Sequence, residues 1–318
     1  MIRAMPSQRW LDANRWVWSF VATTVVWLLT IISVQGRGAG ATLSTALGFA
    51  TFYAIVGMGQ MLVISTGAIY IDLSIPSVMM LAGYLSMGAM GARNSGLLPG
   101  IAIALGIGLA AGVANVVLIR GARIPAMIAT LASGFIMQSM TIAYSRHSTA
   151  KPAPVLLDFS LSRVLGVPTI ALIFIVVSVG LGFVLARTTF GRAVLAAGQN
   201  ARAAYLAGIP IPRTVASVYI ISALLAAVAG LLLAAYSGGA SLNMSEDFLL
   251  MSIAVVVLGG TSISGGRAMV AGIWGASLFL YLVVAMLNVL GVGAGLRYVV
   301  TGAIIIAVLA LSDQSHAG

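Results

Sequence analysis

Stretches of roughly twenty apolar residues recur about ten times along this chain, and they dictate what it can fold into. A helix needs about 20 such residues to cross the hydrocarbon core of a bilayer. In lipid, only helices and closed barrels satisfy their own backbone groups. The segments run approximately over 16–35, 43–64, 78–91, 98–119, 127–145, 168–186, 215–236, 248–261, 269–290 and 296–311. The third and eighth are short, and short or glycine-interrupted spans point to discontinuous helices. Of the 318 residues, 61% are hydrophobic and 7% are charged. A soluble domain carries about 25% charged residues, so a solvated enzyme and a disordered chain are both excluded. The formal net charge of +10 comes from 16 basic residues spread over the whole length. No basic face for nucleic acid results; loops biased to one side of a bilayer account for the excess.

Arg3, Arg9 and Arg15 precede the first apolar stretch, as in a signal peptide. The stretch is longer than a signal core and Arg37 follows it, so it reads as an uncleaved span. Trp10, Trp16 and Trp18 suit an interfacial aromatic belt. With the N-terminus inside, ten spans bring the C-terminus back inside. Ten basic residues then fall inside and six outside, the sense of the positive-inside rule. The chain reads as one transmembrane domain over 1–318, with cytoplasmic segments at 1–15, 187–213 and 312–318. Cysteine is absent, and the two histidines, His147 and His316, lie in a loop and in the tail. With only six carboxylates besides, a metal centre is not expected.

Three segments depart from plain apolar helix. Ser65 to Ser77 places Gly67, several hydroxyls and Asp72 between two spans. An Asp at membrane depth costs about 2.5–3.5 kcal/mol on insertion scales, so it belongs in a cavity, in a pair or at a helix cap. Asp72, Ser74 and Pro76 together read as a helix start. Asp72 is then either a cap in a re-entrant break or a contact to substrate or gate. Val255 to Arg267 brackets hydroxyl residues with two glycine pairs. It is not a phosphate loop, since GxxxxGK[ST] occurs nowhere and the single lysine is Lys151. The two segments share a loose pattern about five spans apart, and an odd number of spans per half makes an inverted repeat. The third segment, Phe190 to Ile209, predicts a short helix over 201–206 between an Asn200 cap and a Gly208 stop. Such a helix is either a solvated linker or a docking element for another protein.

The third segment resembles the coupling-helix motif of ABC-importer permeases of the ribose/monosaccharide type. Phe190 to Ala193, Gly198, Asn200, Ala203, Ala204, Leu206, Gly208 and Ile209 match it. The first segment is similar to that family's TGGIDLSVGS at Thr66, Gly67, Ile71 (or Ile69), Asp72, Leu73, Ser74 and Ser77. The second is similar to VVLGGTSxxGG at Val256 to Ser262, Gly265 and Gly266. Two extra residues separate Gly67 from Ile71 and Asp72, and Ala68 and Pro76 stand where the family has glycines. Arg202 stands where many relatives carry Glu.

The resemblance implies an all-α integral membrane protein of the bacterial inner membrane. It implies about ten transmembrane helices in two inverted pseudo-repeats, some of them broken, with both termini cytoplasmic. The chain would form the pathway for a ribose-like pentose or a hexose. Its partners would be a separate ABC ATPase, a second permease copy or related permease, an extracytoplasmic solute-binding protein and the lipid bilayer. It would bind no cofactor itself, with ATP and Mg held by the ATPase. Gly198, Asn200, Arg202, Ala203, Ala204, Leu206 and Gly208 would form the docking element, with Ala203 and Ala204 in the ATPase groove. Polar residues within spans are the candidates for path or gate: Gln60, Asp72, Ser74, Asn115, Gln138 and Asn288. The amides among them serve equally as helix–helix hydrogen bonds. Two other functions stay open. One is a permease for branched-chain amino acids or nucleosides in the same superfamily. The other is an ion-gradient-driven secondary transporter, which asks for intramembrane acids and finds only Asp72.

Overall fold

The computed structural model describes residues 16–33, 39–145, 150–293, 295–297, 299–304 and 306. The N-terminal 1–15, the tail at 312–318, both histidines and residues 298, 305 and 307–311 of the tenth segment lie outside them. The helices are α1 (Trp16–Ser33), α2 (Ala39–Ser65), α3 (Ile75–Met90), α4 (Leu97–Val116) and α5 (Ala126–Ser145). They continue with α6 (Pro154–Leu161), α7 (Thr169–Arg187), α8 (Thr189–Gln199), α9 (Ala201–Leu206), α10 (Ile211–Tyr236), α11 (Phe248–Leu258) and α12 (Val270–Val289). Seven are long and apolar enough to cross a membrane: α1, α2, α4, α5, α7, α10 and α12. At about 1.5 Å per residue, the 16 residues of α3 and the 11 of α11 reach about 24 Å and about 16 Å. Neither spans a core of about 30 Å alone. Each therefore ends inside the bundle, where its terminus needs partners from protein.

α2 and α10 form the centre and are buried along most of their length, whereas α1, α4 and α7 are mostly exposed. The exposed faces carry large apolar side chains such as Ile32, Leu109, Val176 and Phe183, as a lipid-facing surface requires. The packing is crossed. α10 packs on α3 and α4, the helices that follow α2; α2 packs on α11 and α12, the helices that follow α10. Lipid gives no hydrophobic drive to associate, so small residues must let the backbones close. At Gly230 of α10, a Cβ would run into the backbone of Met79 on α3. At Gly59 of α2, a Cβ would sit 3.0 Å from Ser222 Cα of α10.

Two loops carry more structure than their composition suggests. The loop at 146–167 includes α6 and a hairpin of β1 (Arg163–Val164) with β2 (Val167–Pro168). Its turn residues Leu165 and Gly166 both have positive φ, 52° and 82°, the requirement of a type I′ turn. The loop at 187–213 is almost wholly helical, because Thr188 caps α8 by accepting from the Gly191 amide at 3.2 Å. The α4 helix ends in a π turn, Val117–Gly121, in which Ala122 N donates to Val117 O.

Candidate functional site

Residues 68–74 run without helix from the end of α2 back into the bundle. Asp72 lies buried near the end of this run. One carboxyl oxygen accepts from Ser74 N at 3.0 Å and Ser74 Oγ at 2.6 Å. The other accepts from Ser222 Oγ of α10 at 2.9 Å. Asn115 Nδ2 of α4 donates to Ser74 Oγ at 2.8 Å, and Ser133 Oγ of α5 donates to Asn115 Oδ1. The Asp72 amide donates to Gln60 Oε1 of α2 at 3.3 Å, and the Leu73 amide to Thr130 Oγ1 of α5 at 3.1 Å. Four of the candidate residues, Gln60, Asp72, Ser74 and Asn115, thus form one buried network. Hydrogen bonds contribute about 0.5–1.5 kcal/mol each, and more where the acceptor is charged. Three of them offset the membrane penalty of the carboxyl.

The helix start read around Asp72 is present, with Ser74 preceding α3 and Pro76 in its first turn. Ser74 makes no side-chain cap bond; its hydroxyl is committed to Asp72. Ser133, Thr130 and Ser222 were not singled out from sequence. In a membrane span, hydroxyls that bond their own helix, as Thr130 does to Ala126 O, look like any other serine or threonine.

The remaining candidates lie apart. Gln138 is half-buried and lines a cavity beside the N-terminal turn of α3. Asn288 is exposed at the last turn of α12.

At the end of the bundle where α2 finishes, the three unusual sequence segments meet. Gly266 N donates to Ser65 O at 2.9 Å. Gln199 Nε2 donates to Gly266 O at 3.2 Å. A Cβ on Gly198 would collide with Ser65 O and Gly266 N. Gly265 and Gly266 have φ of 87° and 74°, left-handed values that favour glycine. Just beyond, Asn200 Oδ1 accepts from Ala203 N at 2.9 Å and caps α9. Gly208, with φ 81°, follows its end. Arg202, Ala203, Tyr205 and Leu206 are exposed. Ala204 is not: it faces into the chain and is buried. A six-residue helix lying on the bundle turns one face inward, and in this chain that face carries Ala204, which the sequence reading places with Ala203 in a partner's groove. Tyr205, absent from the sequence candidates, takes its place on the outer face.

Residues 42–309 match the family described as branched-chain amino acid transport system / permease component. The chain is 32% identical over 268 residues to the ribose import permease protein RbsC of Escherichia coli K12, covering 83% of each. It is 33% identical over 268 residues to the ribose import permease protein RbsC of Bacillus subtilis, covering 83% of this chain and 82% of that one. It is 32% identical over 271 residues to the fructose import permease protein FrcC of Rhizobium meliloti, covering 82% of this chain and 74% of that one. No solved structure gives a significant match.

Proposed function

The chain belongs to the branched-chain amino acid transport system / permease component family, and we propose that it is the membrane subunit of an ATP-driven importer for a monosaccharide. It sits in a bacterial inner membrane, with both termini cytoplasmic. Two copies, or one copy and a related permease, enclose the pathway. An extracytoplasmic binding protein delivers the sugar. A separate ATPase binds ATP and Mg and docks on the outer face of α9, against Arg202, Ala203, Tyr205 and Leu206.

The observation that carries this reading is the backbone junction of Ser65, Gly198 and Gly266. It joins the docking element to the inner end of α2 with no flexible side chain between them. Movement imposed on α8 and α9 therefore passes to the run at 68–74 and to the loop at 259–269. The Asp72 network makes that run a rigid body, so it moves with the helices that hold it. Gln60, Ser74 and Asn115 act in this clamp, and Gln138 faces the path. The crossed packing of α2–α3–α4 with α10–α11–α12 supports an inverted repeat of ten spans. In that repeat, the counterpart of 66–74 is 237–247 rather than 259–267.

The test is purification of the tagged chain from its host in mild detergent, followed by reconstitution with the copurifying ATPase and binding protein. ATP-driven uptake of D-ribose or D-fructose supports the reading. Uptake of L-leucine and no sugar overturns the sugar assignment, and a preparation without any ATPase overturns the importer assignment.

A further inference from the structure

The two interrupted spans meet at a cavity of about 170 Å³. Ser77 comes from the first turn of α3, Ser245 and Glu246 from the run before α11, and Phe135 and Gln138 from α5. Ser245 Oγ donates to Pro76 O at 2.8 Å and ties the two breaks together. We propose that this cavity is a transit site for one neutral, polyhydroxylated solute of monosaccharide size, an inference that rests on the importer reading above.

Elsewhere among the described residues most buried polar side chains are committed to one another, Trp27 Nε1, Gln60 Nε2 and Ser277 Oγ being the exceptions. Here they are not. The side chains of Ser77, Gln138 and Glu246 make no hydrogen bond to any described residue. A hydroxyl, an amide and a carboxyl therefore face one small space with their donors and acceptors available. Phe135 exposes its ring beside them, a flat apolar surface for the C–H face of a sugar. The volume is below the about 300–1,000 Å³ of drug-sized pockets and suits a single ring.

Charge decides between solutes. No Lys, Arg or His lines the cavity, so a solute carboxylate meets no counter-ion. The N-terminus of α11 would favour an anion through its dipole, but Glu246 and Asp247 already stand there. An α-amino acid would bring its carboxylate against them; a sugar brings none. The floor of the cavity is held in shape by the buried network, since Leu73 bonds Thr130 and Ser74 bonds Asn115. The walls are thus fixed while the lining groups remain available to a ligand.

The natural chain has no cysteine, so a single introduced thiol reports on this site without background. Gln138→Cys, in the full importer in proteoliposomes, is labelled with N-ethylmaleimide during ATP turnover. D-ribose, D-fructose and L-leucine are the probes. Whichever sugar is transported should slow labelling at least fivefold, and L-leucine should not. Gln138→Ala and Glu246→Gln should each lower uptake of that sugar at least tenfold with unchanged yield of the assembled complex. A transported sugar that neither protects the thiol nor needs these side chains overturns the transit site and leaves the importer reading standing. Wild-type complex that imports L-leucine and no sugar overturns the importer reading instead. If the Gln138 variants do not assemble, Ser77→Cys protection decides by the same criterion.

Discussion

The amide of Gly266 points at the carbonyl of Ser65, 2.9 Å away, and joins two loops that are 201 residues apart in sequence. Gly198 closes against the same pair of atoms. Gly198→Ala puts a methyl group into that contact, and overpacking of this kind costs about 1–3 kcal/mol. The variant should still assemble with its ATPase and hydrolyse ATP. Its uptake in proteoliposomes should fall at least tenfold, because hydrolysis is no longer linked to the pathway. Wild-type uptake would remove the junction from the transmission route.

The Asp72 network predicts a graded loss of stability. Asp72→Ala strands Ser74 N, Ser74 Oγ and Ser222 Oγ together. Stranding a buried donor costs about 1–3 kcal/mol, so this variant should lose several kcal/mol and melt well below the wild type in detergent. Asn115→Ala removes two hydrogen bonds, those to Ser133 Oγ and Ser74 Oγ, while these hydroxyls keep Thr130 O and Asp72, and should lose about 1–3 kcal/mol at about 0.5–1.5 kcal/mol per bond. Ser222→Ala removes one donor from a carboxyl that keeps two others, and should lose about 1 kcal/mol. Thermal melting of the purified chain orders the three, and a different order refutes the shared network.

If α9 is the docking element proposed above, docking and folding separate within its six residues. Leu206→Glu changes an exposed side chain and should abolish copurification of the ATPase while leaving melting of the isolated chain unchanged. Ala204→Glu buries a charge against the bundle and should lower the melting temperature as well. If Leu206→Glu retains the ATPase at wild-type yield, the partner docks elsewhere.

Two glycines in exposed and crowded settings should respond in opposite ways. Gly230→Ala drives a Cβ into the Met79 backbone and should destabilise by about 1–3 kcal/mol. Gly106→Ala meets nothing within 4 Å and removes a helix-weakening residue, a gain of up to about 1 kcal/mol. Melting in the same detergent checks both. Equal effects would mean that the close approach of α3 and α10 is not needed.

Much of the fold is legible in hydropathy. The apolar runs at 43–64, 127–145 and 269–290 correspond to α2, α5 and α12 within a few residues, because lipid enforces one length on a span. The short third and eighth segments appear as α3 and α11 for the same reason. What pattern could not show is which polar groups meet. Asp72 is bound by Ser222, 150 residues away, and Asn115 by Ser133 across a helix pair. No local periodicity records such distances. The cap at Asn200 was legible because it is local, while the inward turn of Ala204 was not, since it depends on where α9 lies on the bundle. The pairing of segments 65–77 and 255–267 rested on shared glycines. In space those glycines meet at a common junction.

The bond between Asp72 and Ser222 also has a history in time. At about 5–20 residues per second of synthesis, the 150 residues between them take roughly 8–30 s to emerge. For that interval the first interrupted hairpin is already made but its carboxyl has no hydroxyl from α10 to meet. Until then the carboxyl has only the two donors of Ser74, and we expect the run at 68–74 to stay hydrated until the sixth long span is in place. Nascent chains arrested before residue 222 should therefore leave an Ile71→Cys thiol open to aqueous reagents, and chains released beyond residue 236 should close it. The order in which this protein is built is then not the order in which it is read.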